Sequence, residues 1–247
     1  MQTIRLKIKR QDGPNKVGYW ESFEIPYRPE MNVVKCLLAI QQNPVNERGE
    51  RVLPIVWDCS CLEEVCGSCT MIVNGRVRQS CSALIDELEQ PVVLEPMSKF
   101  PVVRDLRVDR SKMFETLKKI KGWINIDGFF NLGEGPRFNE LDRQKAYEYA
   151  RCMTCGCCCE ACPQFNSHSP FMGAFAFGQV ALFNTHPTGK MNAHERLDAI
   201  MGMGGLADCG NAQNCWRSCP KNIPLTDAIA DLGWQTTRRA VTRFLKE

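Results

Sequence analysis

Apolar and polar positions alternate with period two from Ile4 to Ile8, with Ile4, Leu6 and Ile8 on one face and Arg5, Lys7 and Lys9 on the other. That is the pattern of a half-buried strand. After the turn signal Asp12-Gly13-Pro14, Trp20, Phe23 and Ile25 predict a second strand. Val33, Leu37, Leu38 and Ile40 then fall at helical spacing until Pro44 stops them. Further on, Thr70 to Val73 and Arg76 to Ser80 are joined by Asn74-Gly75. This pair favours a two-residue hairpin turn because both positions need positive φ, and the hairpin returns Cys81 toward Cys69.

Two strands and then a helix open a β-grasp fold. Beyond the stretch punctuated by Pro91, Pro96 and Pro101 the period changes. Met113, Leu117, Ile120 and Trp123 keep helical spacing, as do Leu141, Tyr147 and Ala150, then Leu197 and Ile200, then Ile229 and Leu232. The expected class is α+β, with a β-grasp domain over residues 1–105 and an all-α domain over residues 106–247.

Composition sharpens this picture at one point. With 31 basic and 28 acidic residues in 247, the net charge is +3 and the charged fraction 24%. Both are ordinary for a globular protein, which excludes a disordered tail and gives no case for a nucleic-acid partner. Fifteen cysteines are not ordinary. No apolar signal core precedes Ile4, and the apolar run Phe171 to Phe183 is a buried helix rather than a span. The expectation is a chain without signal peptide or transmembrane helix, in a compartment where thiols stay reduced, with cysteines that bind metal or lie buried.

The cysteines fall into three groups. From Cys61 the first reads Cys61-x4-Cys66-x2-Cys69, with Cys81 following, which is the plant-type pattern for a 2Fe-2S cluster. Cys59 would give a six-residue spacing and is read as a non-ligand. The second group matches the bacterial ferredoxin run at Cys152, Cys155, Cys158 and Cys162-Pro163, leaving Cys157 and Cys159 surplus. The third, Cys209, Cys215 and Cys219-Pro220, fixes the register: adding 57 to 152, 158 and 162 gives its three cysteines, whereas adding 57 to 155 gives Ala212. In two-cluster ferredoxins the fourth cysteine of each run ligates the other cluster. By that rule Cys152, Cys155, Cys158 and Cys219 hold a 4Fe-4S cluster, and Cys162, Cys209 and Cys215, one thiolate short, hold a 3Fe-4S cluster. The N-terminal domain is then a β-grasp plant-type ferredoxin and the second an all-α bacterial-ferredoxin-like domain. A structural zinc site also uses C-x2-C pairs, but it wants four closed ligands and leaves the three-cysteine repeat unexplained.

Other chemistry is thin. His168, His186 and His194 lie in no ligand spacing, and the Phe171, Phe175, Phe177 and Phe183 group reads as packing beside the clusters. Arg238, Arg239, Arg243 and Lys246 make a basic C-terminal tail, read as a solvated helix ahead of contact with a partner or anionic lipid. No nucleotide-binding glycine loop, nucleophile motif or paired carboxylates stand out, so no catalytic residue is assigned.

A plant-type module followed by a repeat-bearing ferredoxin module resembles the iron-sulfur subunit of succinate dehydrogenase and its fumarate reductase relatives. Trp57-Asp58, Leu94-Glu95-Pro96-Met97, Phe100 to Leu106 and Leu206 to Gly210 carry the same likeness, which covers essentially the whole chain. The resemblance implies a flavoprotein partner with FAD that interconverts succinate and fumarate, and a membrane anchor with quinone and commonly haem b. It also implies electron flow from flavin through the two-iron, four-iron and three-iron clusters to quinone, at the cytoplasmic face of the cell membrane. Ubiquinone-type members are similar to one another in a tryptophan and a histidine where this chain has Ser167 and Gly210. The stretches Asn125 to Gly135 and His186 to Arg196 look more like the menaquinone-type branch. The alternatives are a quinol:fumarate reductase subunit running in reverse, and a multi-cluster carrier without fixed partners.

Overall fold

A computed structural model describes residues 2–125 and 137–245, so most of the Asn125 to Gly135 stretch, and Lys246, lie outside the described residues. The chain forms two compact units. The first comprises residues 1–110 with 153–160, and the second residues 111–152 with 161–247.

In the first unit, β1 (Thr3–Arg10) pairs antiparallel with β2 (Tyr19–Pro26), and α1 (Val33–Gln42) follows, its first turn capped by Asn32, whose side chain accepts from the Lys35 N–H. The hairpin β3 (Thr70–Val73) and β4 (Arg76–Gln79) turns at Asn74 and Gly75, with φ of +47° and +76°. The central strand is β5 (Val92–Glu95), parallel to β1 and antiparallel to β3, giving the order β2-β1-β5-β3-β4. Ile4, Leu6 and Ile8 point inward with Phe23, Leu37, Ile40, Val92 and Leu94. The mixed sheet carrying one helix is the expected grasp arrangement.

A small ribbon, β6 (Val102–Arg104) with β7 (Arg107–Val108), closes the unit. Between its strands Asp105, fully buried, accepts from Arg10 Nε at 2.8 Å and from the backbone N–H of Gln11 and Val56 at 3.2 and 2.9 Å. Arg10 is also paired with Glu21, so its buried charge is matched on two sides.

The second unit is helical. It contains α2 (Ser111–Lys119), α3 (Glu140–Ala150), α5 (Ala174–Thr185), α6 (Ala193–Met201), α7 (Asn214–Arg217) and α8 (Leu225–Phe244); α4 (Cys157–Glu160) belongs to the first unit. The apolar α5 packs against α3, α6 and α8, burying Phe175, Phe177 and Val180. It starts at Ala174 rather than Phe171 because Gly173, at φ +90°, turns the chain just before it. The Arg196 guanidinium is fully buried and donates to Asn184 Oδ1, Asn192 Oδ1 and the carbonyls of Phe183 and Gly189. It ties the 184–192 connection to α6. His186 Nδ1 accepts from the N–H of Thr188 and Gly189, an ordinary turn histidine.

Candidate iron-sulfur cluster sites

None of the fifteen cysteines forms a disulfide. In the first unit the loop from Cys61 to Cys69 coils tightly, with Leu62, Glu64 and Gly67 at φ of +62°, +56° and +72°. Left-handed residues interspersed with right-handed ones turn successive N–H groups to one side, making an anion-binding concavity. Here the N–H groups of Glu63, Val65 and Cys66 donate to Cys61 Sγ at 3.4, 3.3 and 3.2 Å, and those of Cys61 and Ser68 donate to Cys66 Sγ at 3.5 Å each. A ring of donors around sulfur stabilises thiolate charge, the form that ligates iron. Burial works against that charge at Cys66, but donation from Ser68 and the loop N–H groups brings it down to about 6.

The hairpin delivers the fourth thiol. Ser80 donates to the Cys69 carbonyl from both its N–H and its hydroxyl, at 3.2 and 2.9 Å, and Cys81 packs with Cys69 against Val34 and the half-buried Trp57. Burial, with the Cys69 thiol beside it, pushes Cys81 up to about 11. Cys59 is exposed on the approach to the loop. The thiol set and its N–H ring suit a thiolate-held iron-sulfur group.

The segment 153–160 packs in the same unit. Thr154 and Gly156 have φ of +55° and +91°, and α4 follows at once. Cys155 is hydrogen-bonded by the Cys157 thiol, which with help from the Cys157 N–H and Arg110 outweighs burial and brings it down to about 7. Cys157 is correspondingly raised by that bond and by burial. At the end of α4, Glu160 is buried and accepts from the Ser98 hydroxyl at 2.5 Å and the Lys99 N–H at 3.1 Å.

In the second unit, Cys162, Cys209 and Cys215 line one cavity together with Ala212, Gln164, Phe171 and Ile229. Its loop repeats the backbone of the first run. Asn211 and Gln213 have φ of +50° and +59°, the positions 57 residues after Thr154 and Gly156. The short helix α7, Asn214–Arg217, likewise lies 57 residues after α4, Cys157–Glu160. Ala212 thus stands between two left-handed residues as Cys155 does. Where a Cβ on Gly210 would point, Gln164 Nε2 already sits, 2.7 Å away. Cys152 and Cys219 also belong to this unit, each half-buried. Phe171 reaches the cavity and packs on Phe177 with ring centroids 5.8 Å apart.

Among the described residues, no three His, Cys, Asp or Glu side chains converge as on a single metal ion. The basic tail is tied down within its unit: Arg239 forms a two-point bond to Asp198 at 3.0 and 2.9 Å, Arg243 lies 3.7 Å from the same carboxylate, and Arg238 stacks over Trp234.

Residues 5–115 match the family described as 2Fe-2S iron-sulfur cluster binding domain. The chain is 60% identical over 243 residues to the succinate dehydrogenase iron-sulfur subunit of Bacillus subtilis, covering 98% of this chain and 96% of that one. The chain belongs to the succinate dehydrogenase iron-sulfur subunit family. The fumarate reductase iron-sulfur subunit of Wolinella succinogenes is 29% identical, with 94% of this chain and 95% of that protein covered. The fold is similar to a chain of the Mycobacterium smegmatis Sdh1 complex in the apo form, with a TM-score of 0.74 at 22% identity over 96% of both chains. As a member of the succinate dehydrogenase iron-sulfur family, the chain carries an iron-sulfur binding domain at its N-terminal end.

Sequence reasoning missed Arg110 and Glu160. Arg110 donates to the Gly67 and Ser68 carbonyls inside the first cysteine loop, and Glu160, inside the second run, accepts from Ser98 and Lys99; long-range bonds of this kind leave no spacing signature.

Proposed function

We propose that this chain is the electron-transfer subunit of a succinate:quinone oxidoreductase. Cys61, Cys66, Cys69 and Cys81 hold a 2Fe-2S cluster, Cys152, Cys155, Cys158 and Cys219 a 4Fe-4S cluster, and Cys162, Cys209 and Cys215 a 3Fe-4S cluster. The two-iron ligands all lie in the first unit and the three-iron ligands all in the second. Bound clusters supply one-electron steps, carrying electrons from an FAD-bearing flavoprotein to quinone in a membrane anchor with haem b. The chain itself contributes no bond-breaking group.

The observation that supports this reading most is the 57-residue repeat in backbone form, with Ala212 replacing Cys155 in a cavity shared by three thiols. The N–H ring around Cys61 and Cys66 supports the two-iron assignment. Among the described residues no helix is long and apolar enough to cross a membrane, which fits a peripheral subunit held at the cytoplasmic face by its anchor.

The similarity to fumarate reductase subunits favours one second reading, the same subunit in a quinol:fumarate reductase. Purification of the native membrane complex tests both. Flavin, quinone and haem content, with rates of succinate-driven quinone reduction and quinol-driven fumarate reduction, separate the two directions. A complex lacking flavin would overturn either.

A further inference from the structure

Within the first unit, one cation is held on the first cysteine loop at the point where that loop lies against Cys155. Arg110 donates from Nη1 to the Gly67 carbonyl at 2.7 Å and from Nη2 to the Ser68 carbonyl at 2.9 Å, both lying between Cys66 and Cys69. Gly67 in turn lies against Cys155: a Cβ added there would stand 2.6 Å from its Cβ and 2.7 Å from its Cα. The guanidinium is half-buried, which works against its charge, while Cys155, then Asp58, Cys157 and Cys69, favour it. Asp58 is itself shared with Arg107 at 3.4 Å. A planar fork with two carbonyls in its grip is held in place, unlike a mobile surface lysine.

We propose that Arg110 is a positioning and tuning residue for the electron step between the two-iron and four-iron clusters, its fixed charge favouring the electron on the cluster that Cys155 ligates. The proposal rests on the ligand assignment above. In that step one electron leaves the centre held by Cys61, Cys66, Cys69 and Cys81 and enters the centre held by Cys152, Cys155, Cys158 and Cys219. The first is oxidised by one and the second reduced by one, with no bond made or broken. A nearby positive charge stabilises the more negative, reduced state, and in a partly desolvated site it does so strongly. Arg110 is fixed on the Gly67 carbonyl, and Gly67 is where the first loop lies against Cys155, so the charge sits on the side of the two-iron loop that faces the acceptor, and the acceptor gains more than the donor.

The test is a redox titration of the intact complex followed by electron paramagnetic resonance, on wild type, Arg110→Met and Arg110→Lys. Methionine keeps length and removes charge; lysine keeps charge and loses the fork. In Arg110→Met the reduction equilibrium of the four-iron signal should fall at least tenfold, 59 mV for a one-electron couple. The two-iron signal should move less, and the three-iron signal should not move. Arg110→Lys should recover most of the shift. Unchanged midpoints, equal shifts in all three signals, or a lysine variant as shifted as the methionine one would each overturn the proposal. If Arg110→Met loses the four-iron signal outright, the lysine variant decides. A wild-type midpoint there supports the role of charge, and a lost or displaced signal refutes it. Wild-type complex without distinct two-iron and four-iron signals would instead sink the ligand assignment, and the tuning role with it.

Discussion

Gly67 and Gly49 make a matched pair for testing how tightly the first cysteine loop is built. Both have positive φ, +72° and +79°, so alanine at either costs the left-handed conformation, about 1–2 kcal/mol. Around Gly49 a Cβ meets nothing within 4 Å. At Gly67 it meets Cys155 Cβ and Cα at 2.6 and 2.7 Å, atoms that belong to the main chain or are rooted in it and cannot swing aside. Overpacking of that kind adds about 1–3 kcal/mol. Gly67→Ala should therefore destabilise by about 2–5 kcal/mol, and Gly49→Ala by only the first part. For a chain of this size each kcal/mol moves the melting temperature by about 2–4 °C, so differential scanning calorimetry of the complex resolves the pair. Gly67→Ala should also alter the two-iron and four-iron paramagnetic signals, while Gly49→Ala leaves them intact. Equal melting shifts for the two variants, with unaltered signals in both, would refute the close approach of Gly67 to Cys155.

Ala212→Cys should supply the missing thiolate of the second repeat: the oxidised three-iron signal should vanish and a second reduced four-iron signal appear, at lower potential because thiolate charge favours the oxidised state, and persistence of the three-iron signal at full intensity would count against the repeat register. Cys59→Ser, Cys157→Ser and Cys159→Ser should each keep all three signals whereas Cys61→Ser loses the two-iron signal alone; the reverse outcome for Cys59 and Cys61 in the same spectra would shift the ligand register. Asp198 is held below the usual carboxylate value, chiefly by its bond from Arg239, so its stabilisation is present above the unfolded-state pKa and fades as pH falls through the lower folded value. Because the pair is more than a third exposed on the carboxylate side, the effect stays below about 1 kcal/mol, and Asp198→Asn should lower thermal stability slightly at neutral pH and not at strongly acid pH.

Much of the first unit was legible because its signals are local. Alternation in β1, the helical spacing of α1 and the Asn74-Gly75 turn each depend on a few neighbouring residues. The central strand β5 was not, because Val92, Val93 and Leu94 form a short apolar run between prolines, with no alternation to mark it: a strand paired on both sides and packed into the core needs none. The cysteine register was legible as arithmetic. Its backbone counterpart was hidden, since left-handed Leu62, Glu64, Thr154 and Gln213 are not residue types that announce positive φ. The adherence of residues 153–160 to the first unit was equally invisible, being decided by long-range bonds such as Ser98 and Lys99 to Glu160.

Spin quantitation by electron paramagnetic resonance on the purified complex tests the three-cluster assignment most directly. The account predicts about one spin per chain of a three-iron signal in the oxidised state and, on full reduction, about one spin each from a two-iron and a four-iron centre. A complex with stoichiometric zinc, or one whose oxidised state lacks the three-iron signal, would contradict it.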